Sequence, residues 1–288
     1  MIVLENDKLR AIISPKGAEL QSLINKETGI EYMWGGDAAY WSKHSPVLFP
    51  VVGSLKEDTY LYKDKVYHLP RHGFARERIF LKDQVSLEEA VFSLSQDTET
   101  LAVYPFAFLL RLRYVLKENT LTCTYEVINT GYDELLFSVG AHPAFAVPMV
   151  EGTAYADYYL QFNANEQLHR WKLEGGLIAA DAEVLPAQNG ILPLAHELFY
   201  QDAIVLKNMQ SNSITLGCTK HAHGLHFIFD NFPFFGIWAA KNANFVCLEP
   251  WCGIADSVNH DQQLKNKEGI ITLAANTNWY RNWMAACF

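Results

Sequence analysis

Apolar and polar residues alternate along this chain in short runs. In Leu110-Arg111-Leu112-Arg113-Tyr114-Val115-Leu116 the alternation is nearly strict. A period of two turns one face toward a core and the other toward water, which is the pattern of a half-buried strand. Runs of similar character occupy Arg78 to Lys82, Ala90 to Leu94, Phe106 to Leu116 and Leu121 to Ile128. Turn clusters such as Lys117-Glu118-Asn119 and Asn129-Thr130-Gly131 separate them. Further runs lie at Leu225 to Phe229, Phe234 to Ala239 and Phe245 to Leu248. At the start, Ile2 to Leu4 and Leu9 to Ile13 flank Asn6-Asp7, which predicts an opening hairpin. Val66 to Leu69 follows a polar loop tip at Lys63 to Lys65. Helical signals are short: one turn is predicted within Leu192 to Phe199 and another within Asp261 to Lys267. No internal repeat or long linker interrupts the pattern. The expectation is one all-β domain over residues 1–288, a large antiparallel β-sandwich with a few short helices. The apolar tail Trp279 to Phe288 reads either as a core strand or as a contact between copies.

Composition narrows the function. Half of the 288 residues are hydrophobic and 19% are charged, which argues for a folded chain. Aromatics make up 13%, enough to fill a sheet core and also to line a sugar cleft. The net charge of −9 repels a polyphosphate backbone, so nucleic acid is not an expected partner. A local arginine cluster could still hold a small phosphorylated ligand. No basic tract suggests a membrane surface. No segment approaches the ~18 apolar residues of a membrane span, and the N-terminus lacks a signal peptide, so the cytoplasm is the expected compartment. The 5 cysteines are irregularly spaced without a CxxC, which suggests free thiols instead of a disulfide framework.

Four segments combine ionisable groups with turn residues. In Pro70-Arg71-His72-Gly73-Phe74-Ala75-Arg76, either arginine could grip an anionic or hydroxylated ligand in fork geometry; the plain alternative is a solvated loop. In Gly140-Ala141-His142-Pro143, the proline forces an extended backbone on His142 and places the imidazole at a strand end. The alternative is a core histidine bonded to a carbonyl. In Leu248-Glu249-Pro250-Trp251, a carboxylate ends an apolar run. Such a glutamate should hold its proton more tightly than usual, as suits a general base, unless it simply pairs with an arginine. Asp202 precedes a strand-like run and could accept hydrogen bonds from sugar hydroxyls, or merely shape a turn. His221, His223 and His226 have a metal-like density, but no HExxH helix accompanies them and the segment reads as a hairpin tip. Gly53-Ser54-Leu55-Lys56 lacks the ending of a phosphate loop.

Together these segments resemble the aldose 1-epimerase (galactose mutarotase-like) family, and its LacX-like bacterial branch in particular. The resemblance runs from Leu4-Glu5-Asn6 and Gly17-Ala18-Glu19-Leu20 through Trp34 and Pro46 to Gly53. It continues through His72 to Arg76, Gly140 to Phe145, Asp202-Ala203, Gly236-Ile237-Trp238 and Leu248 to Trp251. It implies a galactose mutarotase-like supersandwich that needs no cofactor and no metal. It also implies roles: His142 as catalytic acid, Glu249 as catalytic base, and His72, Arg76, Asp202, Trp238 and Trp251 as sugar-binding residues. The implied activity is interconversion of the α and β anomers of an aldose. Galactose-acting members carry an Asn-Arg-x-x-Gly loop where this chain reads Gly53 to Tyr60, a departure that leaves the sugar open. With Arg71, Arg76 and Lys43 nearby, a hexose 6-phosphate is an alternative substrate. A non-catalytic carbohydrate-binding protein, with Trp34, Trp238 and Trp251 in its cleft, is the alternative from another class. A glycosidase pairing Glu249 with Asp202 is a further one.

Overall fold

Strand alternation becomes layers in the computed structural model, which describes residues 1–288. Nine strands form one antiparallel sheet. Its spatial order is Ile191–Pro193, Tyr158–Phe162, Ser213–Cys218, Leu225–Ile228, Asn278–Cys287, Thr120–Asn129, Phe108–Lys117, Glu89–Ser95 and Leu81–Gln84. The second sheet has seven strands. It runs Val139–Gly140, Phe245–Cys252, Phe234–Trp238, Ile204–Lys207, His169–Glu174 and Leu177–Val184, with Ala144–Ala146 also paired to Phe245–Cys252. The inner faces meet through aromatic contacts such as Phe229 with Phe235, ring centres 4.3 Å apart, and Phe145 with Phe227 at 5.6 Å. This is the predicted antiparallel sandwich.

The alternating run falls in Phe108–Lys117, where Phe108, Leu110, Leu112, Tyr114 and Leu116 are buried and the residues between them are not. Burial of each such side chain contributes about 1.5–3 kcal/mol. The opening hairpin forms as expected, with Ile2 opposite Ile13 and Glu5 opposite Arg10. Asn6 Oδ1 accepts from the backbone N–H of Lys8 and Leu9 and so closes its turn. The C-terminal tail is a core strand: Asn278–Cys287 lies between Leu225–Ile228 and Thr120–Asn129, with Trp283, Ala285 and Cys287 buried.

Other expectations shift. The run Arg78 to Lys82 does not start a strand until Leu81, because Ala75–Glu77 is a 3-10 turn and Phe80 dives into the core. Leu192 to Phe199 divides into the strand Ile191–Pro193 and the 3-10 turn His196–Phe199. Leu264–Asn266 is the short turn expected within Asp261 to Lys267. One α-helix, Thr98–Val103, escaped the periodicity reading. Its signal is local: Asp97 accepts from the Thr100 N–H while the Thr100 hydroxyl accepts from the Asp97 N–H. No helix is long and apolar enough to cross a membrane.

Phe245–Cys252 is buried at all eight positions. Its inner face joins the main core through Val246 and Leu248. Its outer face is partly covered by a second cluster, in which Leu48, Val52, Ile254 and Ala255 from loops pack on Val205, Phe234 and Trp251. A strand covered on both sides reads as an unbroken apolar run. A charged residue within it therefore stands out.

Candidate active site

The outer face of the seven-stranded sheet carries an open cleft of about 220 Å³. Register explains how its centre is assembled. Gly140 pairs with Trp251 and Ala144 with Cys247, so His142 falls directly opposite Glu249. Between those paired ends the chain is irregular. The Ala141 N–H donates to the Pro250 carbonyl at 3.0 Å, and the Leu248 N–H to the Pro143 carbonyl at 3.1 Å. The sequence reading placed Glu249 at a strand end, but the strand continues through Pro250 to Cys252. Pro250 is tolerated because its missing N–H would point to the same edge as its carbonyl, where the neighbouring chain has left the ladder.

His142 Nε2 lies 3.2 Å from Glu249 Oε2, and both side chains are buried. On the other flank, Glu249 is paired with Gly236. A Cβ at Gly236 or at Gly140 would run into the Trp251 indole, so two glycines make the slot for this ring. His142 Nδ1 and Trp251 Nε1 are buried without hydrogen-bond partners. Trp41 stacks on the His142 ring with centres 5.1 Å apart, and Trp238 meets it edge-on at 5.8 Å.

His72 approaches from the Pro70–Arg76 loop. Its φ of 68° is followed by one of 69° at Gly73, where a Cβ would collide with the Phe49 carbonyl. That close approach fixes the loop and explains its glycine. His72 Nδ1 accepts from the Gly53 N–H at 3.1 Å. Arg76 Nη2 donates to the Arg71 carbonyl at 2.8 Å. Asp202 stands at a φ of 88° before Ile204–Lys207, and its Oδ1 accepts from the Ala203 N–H at 2.7 Å. His72, Arg76, His142, Asp202, Trp238, Glu249 and Trp251 all line the cleft, with Trp41, Arg71 and Ala203.

A sequence model of the family described as aldose 1-epimerase matches residues 1–280. The chain belongs to the aldose 1-epimerase family. It is 34% identical over 279 residues to the chromosomal LacX protein of Lactococcus lactis subsp. lactis, with 93% of each chain covered. Among solved structures it is similar to a galactose mutarotase related enzyme from Lactobacillus acidophilus, with a TM-score of 0.95 and 33% identity over 99% of this chain and 96% of that one. It is also similar to a galactose mutarotase-like protein from Lactobacillus casei ATCC 334, with a TM-score of 0.94 and 33% identity over 100% of both chains.

Within this family frame, burial dominates the electrostatics of the cleft. Burial pushes the Glu249 carboxyl well above the usual carboxylate range; the Arg71 charge opposes this and the Asp202 charge adds to it. Burial lowers His142 to about 3. Both directions favour the neutral forms, so the pair holds a single proton. His72 is also held neutral, by burial first and by the charges of Arg71, Arg76 and Lys267 after it. The Cys247 thiol, two residues before Glu249 on the same face, completes a buried His142–Cys247–Glu249 group whose ligand atoms lie within 4.8 Å of one another. Burial pushes the Cys247 thiol up, with the Glu249 charge adding to it, which works against the thiolate that a metal would need.

Two expectations need correction. Trp34 is not in the cleft: it packs on Phe245 in the core, and its indole N–H donates to the Trp41 carbonyl at 2.9 Å. Trp41 takes the cleft position instead. The signal for it was a second tryptophan seven residues on, in a stretch without strand periodicity. Lys43 is not a cleft residue; it pairs with Glu77 at 2.5 Å, which also holds Lys16. In the histidine-rich segment, His221 Nε2 meets the Tyr158 hydroxyl at 3.0 Å and His226 Nδ1 the Thr215 hydroxyl at 2.8 Å, so these rings are engaged in local hydrogen bonds.

Proposed function

We propose that the protein is an aldose mutarotase, interconverting α and β anomers by opening and reclosing the pyranose ring. The observation that carries this reading is the His142–Glu249 pair, cross-strand neighbours 3.2 Å apart in an open cleft walled by indoles. Glu249, as carboxylate, takes the proton of the C1 hydroxyl. As C1=O1 forms, the C1–O5 bond breaks and O5 takes a proton from the His142 imidazolium. The aldehyde turns about C1–C2, and the same steps run backward onto its other face.

Proton bookkeeping supports this cycle. After opening, Glu249 is protonated and His142 neutral, the state that burial favours in the empty cleft. Before opening, the same single proton sits on His142. The two states differ by one transfer between facing atoms, and the cycle ends with the protons it started with. Acid–base groups of this kind contribute about 10²–10⁴-fold each. His72, Arg76, Asp202, Trp238 and Trp251 hold the sugar in this reading. Asp202 spends Oδ1 on its own loop and has Oδ2 for a hydroxyl.

Polarimetry of a freshly dissolved α-aldose tests the proposal. Exchange at the wild-type rate in both His142→Ala and Glu249→Ala would sink it. Saturable sugar binding with no enhanced exchange would favour a carbohydrate-binding protein instead.

One observation favours a phosphorylated aldose as substrate. Arg71 and Arg76 both line the cleft, and their polar contacts are with His72 and with the Arg71 carbonyl, not with a carboxylate. In a chain of net charge −9, two such arginines suit a ligand that brings its own negative charge. Titration of free and 6-phosphorylated aldoses side by side tests this: the phosphorylated ligand should bind more tightly and lose that advantage in Arg76→Ala.

A further inference from the structure

Behind the cleft lies a second buried acid–base pair, Asp256 with Lys267, that the proposed chemistry does not use. Lys267 Nζ donates to Asp256 Oδ1 at 2.9 Å, with side-chain exposures of 0% and 1%. The other carboxylate oxygen, Oδ2, accepts from the Lys56 N–H at 2.9 Å. The Asp256 N–H donates to the Ser54 carbonyl at 2.9 Å. Asp256 therefore ties down both ends of the segment Ser54 to Lys56. His260 Nδ1 is 3.4 Å from Asp256 Oδ2, but that nitrogen accepts from the Gln262 N–H and is no donor to the carboxylate.

The residue before this segment is Gly53. Its φ is 73°, and a Cβ there would overlap Ala255. Gly53 is thus wedged between Ala255 and His72, with which it exchanges two bonds. The His72 N–H donates to the Gly53 carbonyl at 2.9 Å, and the Gly53 N–H donates to His72 Nδ1. On the cleft side, Arg71 Nε lies 3.2 Å from His72 Nε2. Both ring nitrogens therefore face an N–H donor, and a neutral imidazole accepts at only one of them. Gly53 favours the tautomer with the proton on Nε2, and Arg71 favours the opposite one. With the proton on Nε2 the Arg71–His72 bond is given up, and both N–H groups are left to donate to the ligand.

We propose that Asp256, held by Lys267, is a positioning residue for His72: it pins the Ser54–Lys56 segment so that the Gly53 N–H outcompetes Arg71 and keeps the His72 proton on Nε2, aimed at the sugar. The consequence for the sugar rests on the mutarotase reading; the tautomer itself does not.

Long-range ¹H–¹⁵N spectra of the His72 ring test this directly. The wild-type protein should show a single tautomer with Nδ1 unprotonated. Asp256→Leu/Lys267→Met removes the acceptor without stranding a charge and should give a mixture containing Nδ1–H. Its KM should rise by about 3–10-fold, the worth of one mis-set hydrogen bond, with kcat little changed. Asp256→Asn/Lys267→Met keeps an acceptor for the Lys56 N–H and should restore the wild-type spectrum and KM. A wild-type ring protonated at Nδ1 overturns the proposal, as does a folded Leu/Met variant with an unmoved spectrum. Should the Leu/Met variant fail to fold, an Asn/Met variant with a shifted tautomer overturns it equally. The spectra need no turnover, so failure of the mutarotase reading would leave this test in force.

Discussion

Two buried pairs, each a carboxyl with a basic partner, sit within a few residues of one cleft, and they are built differently. Asp256 meets Lys267 and the Lys56 N–H, so each carboxylate oxygen has a donor. Burial lowers the Lys267 pKa while Asp256 opposes that shift. Glu249 has only His142 within ion-pair reach, and His142 Nδ1 has no partner at all. Burial therefore drives this second pair toward its neutral forms. A fully bonded carboxylate is a structural anchor. An under-bonded one facing a cleft holds a proton that can move, and the incoming ligand must supply the missing contacts.

The largest expected effect of breaking this contrast is on rate. Glu249→Gln and His142→Asn should each lower kcat by about 10²–10⁴-fold while the fold, read by circular dichroism, stays intact. Loss of rate together with loss of fold would mean that the pair is structural after all. Next comes stability. Asp256→Leu alone strands a buried ammonium and should cost about 3–5 kcal/mol in urea unfolding. Glu249→Gln should cost nothing comparable. Equal losses in the two variants would erase the distinction between them.

The contrast was only half legible in the sequence. Strands such as Phe108–Lys117 could be read because one face is dry and the other wet. His142 and Glu249 stood out because a proline follows each and an apolar run surrounds the glutamate. Their meeting depends on register, Gly140 against Trp251 and Ala144 against Cys247, which no local pattern encodes. The Lys267–Asp256 pair was not legible. Lys267 ends the short turn expected within Asp261 to Lys267 and Asp256 lies in a stretch without periodicity, and only long-range packing brings the two together and buries them. His169–Glu174 and Leu177–Val184 were missed for a related reason: few of their residues are buried, so the apolar alternation is weak.

A gentler probe is pH. The proposed acid–base pair holds one proton between about 3, where His142 gains a second, and the raised value at which Glu249 lets its proton go. Turnover should be flat between those limits and fall on both sides, and a steady rise through the alkaline range would contradict shared-proton chemistry. Stability gives an independent reading of the same shift. A glutamate whose folded pKa is raised contributes stability at low pH and loses it as pH rises from 4.5 through the folded value. The stability of Glu249→Gln relative to wild type should therefore improve as pH rises above 4.5, and a pH-independent difference would show that burial does not hold the proton on Glu249.

The smallest expected effect comes from opening the His142–Glu249 pair to water. Trp41 is the lid on His142: their rings stack at 5.1 Å, and Trp41 also stacks on Phe245 at 5.5 Å. Its backbone carbonyl is anchored by the Trp34 indole, so the ring is placed by the core and not by the ligand. Trp41→Ala should cost about 0.5–1.5 kcal/mol of stability for each aromatic pair it breaks, beyond the area that the ring buries. Water reaching the imidazole should also raise the His142 pKa from about 3 back toward 6.5, moving the acid limb of the rate profile upward. Asp256 and Lys267 lie outside the cleft lining, and their pair should not respond. An acid limb that stays in place after Trp41 is removed would mean that the protein interior beneath His142, not the lid above it, keeps the imidazole neutral.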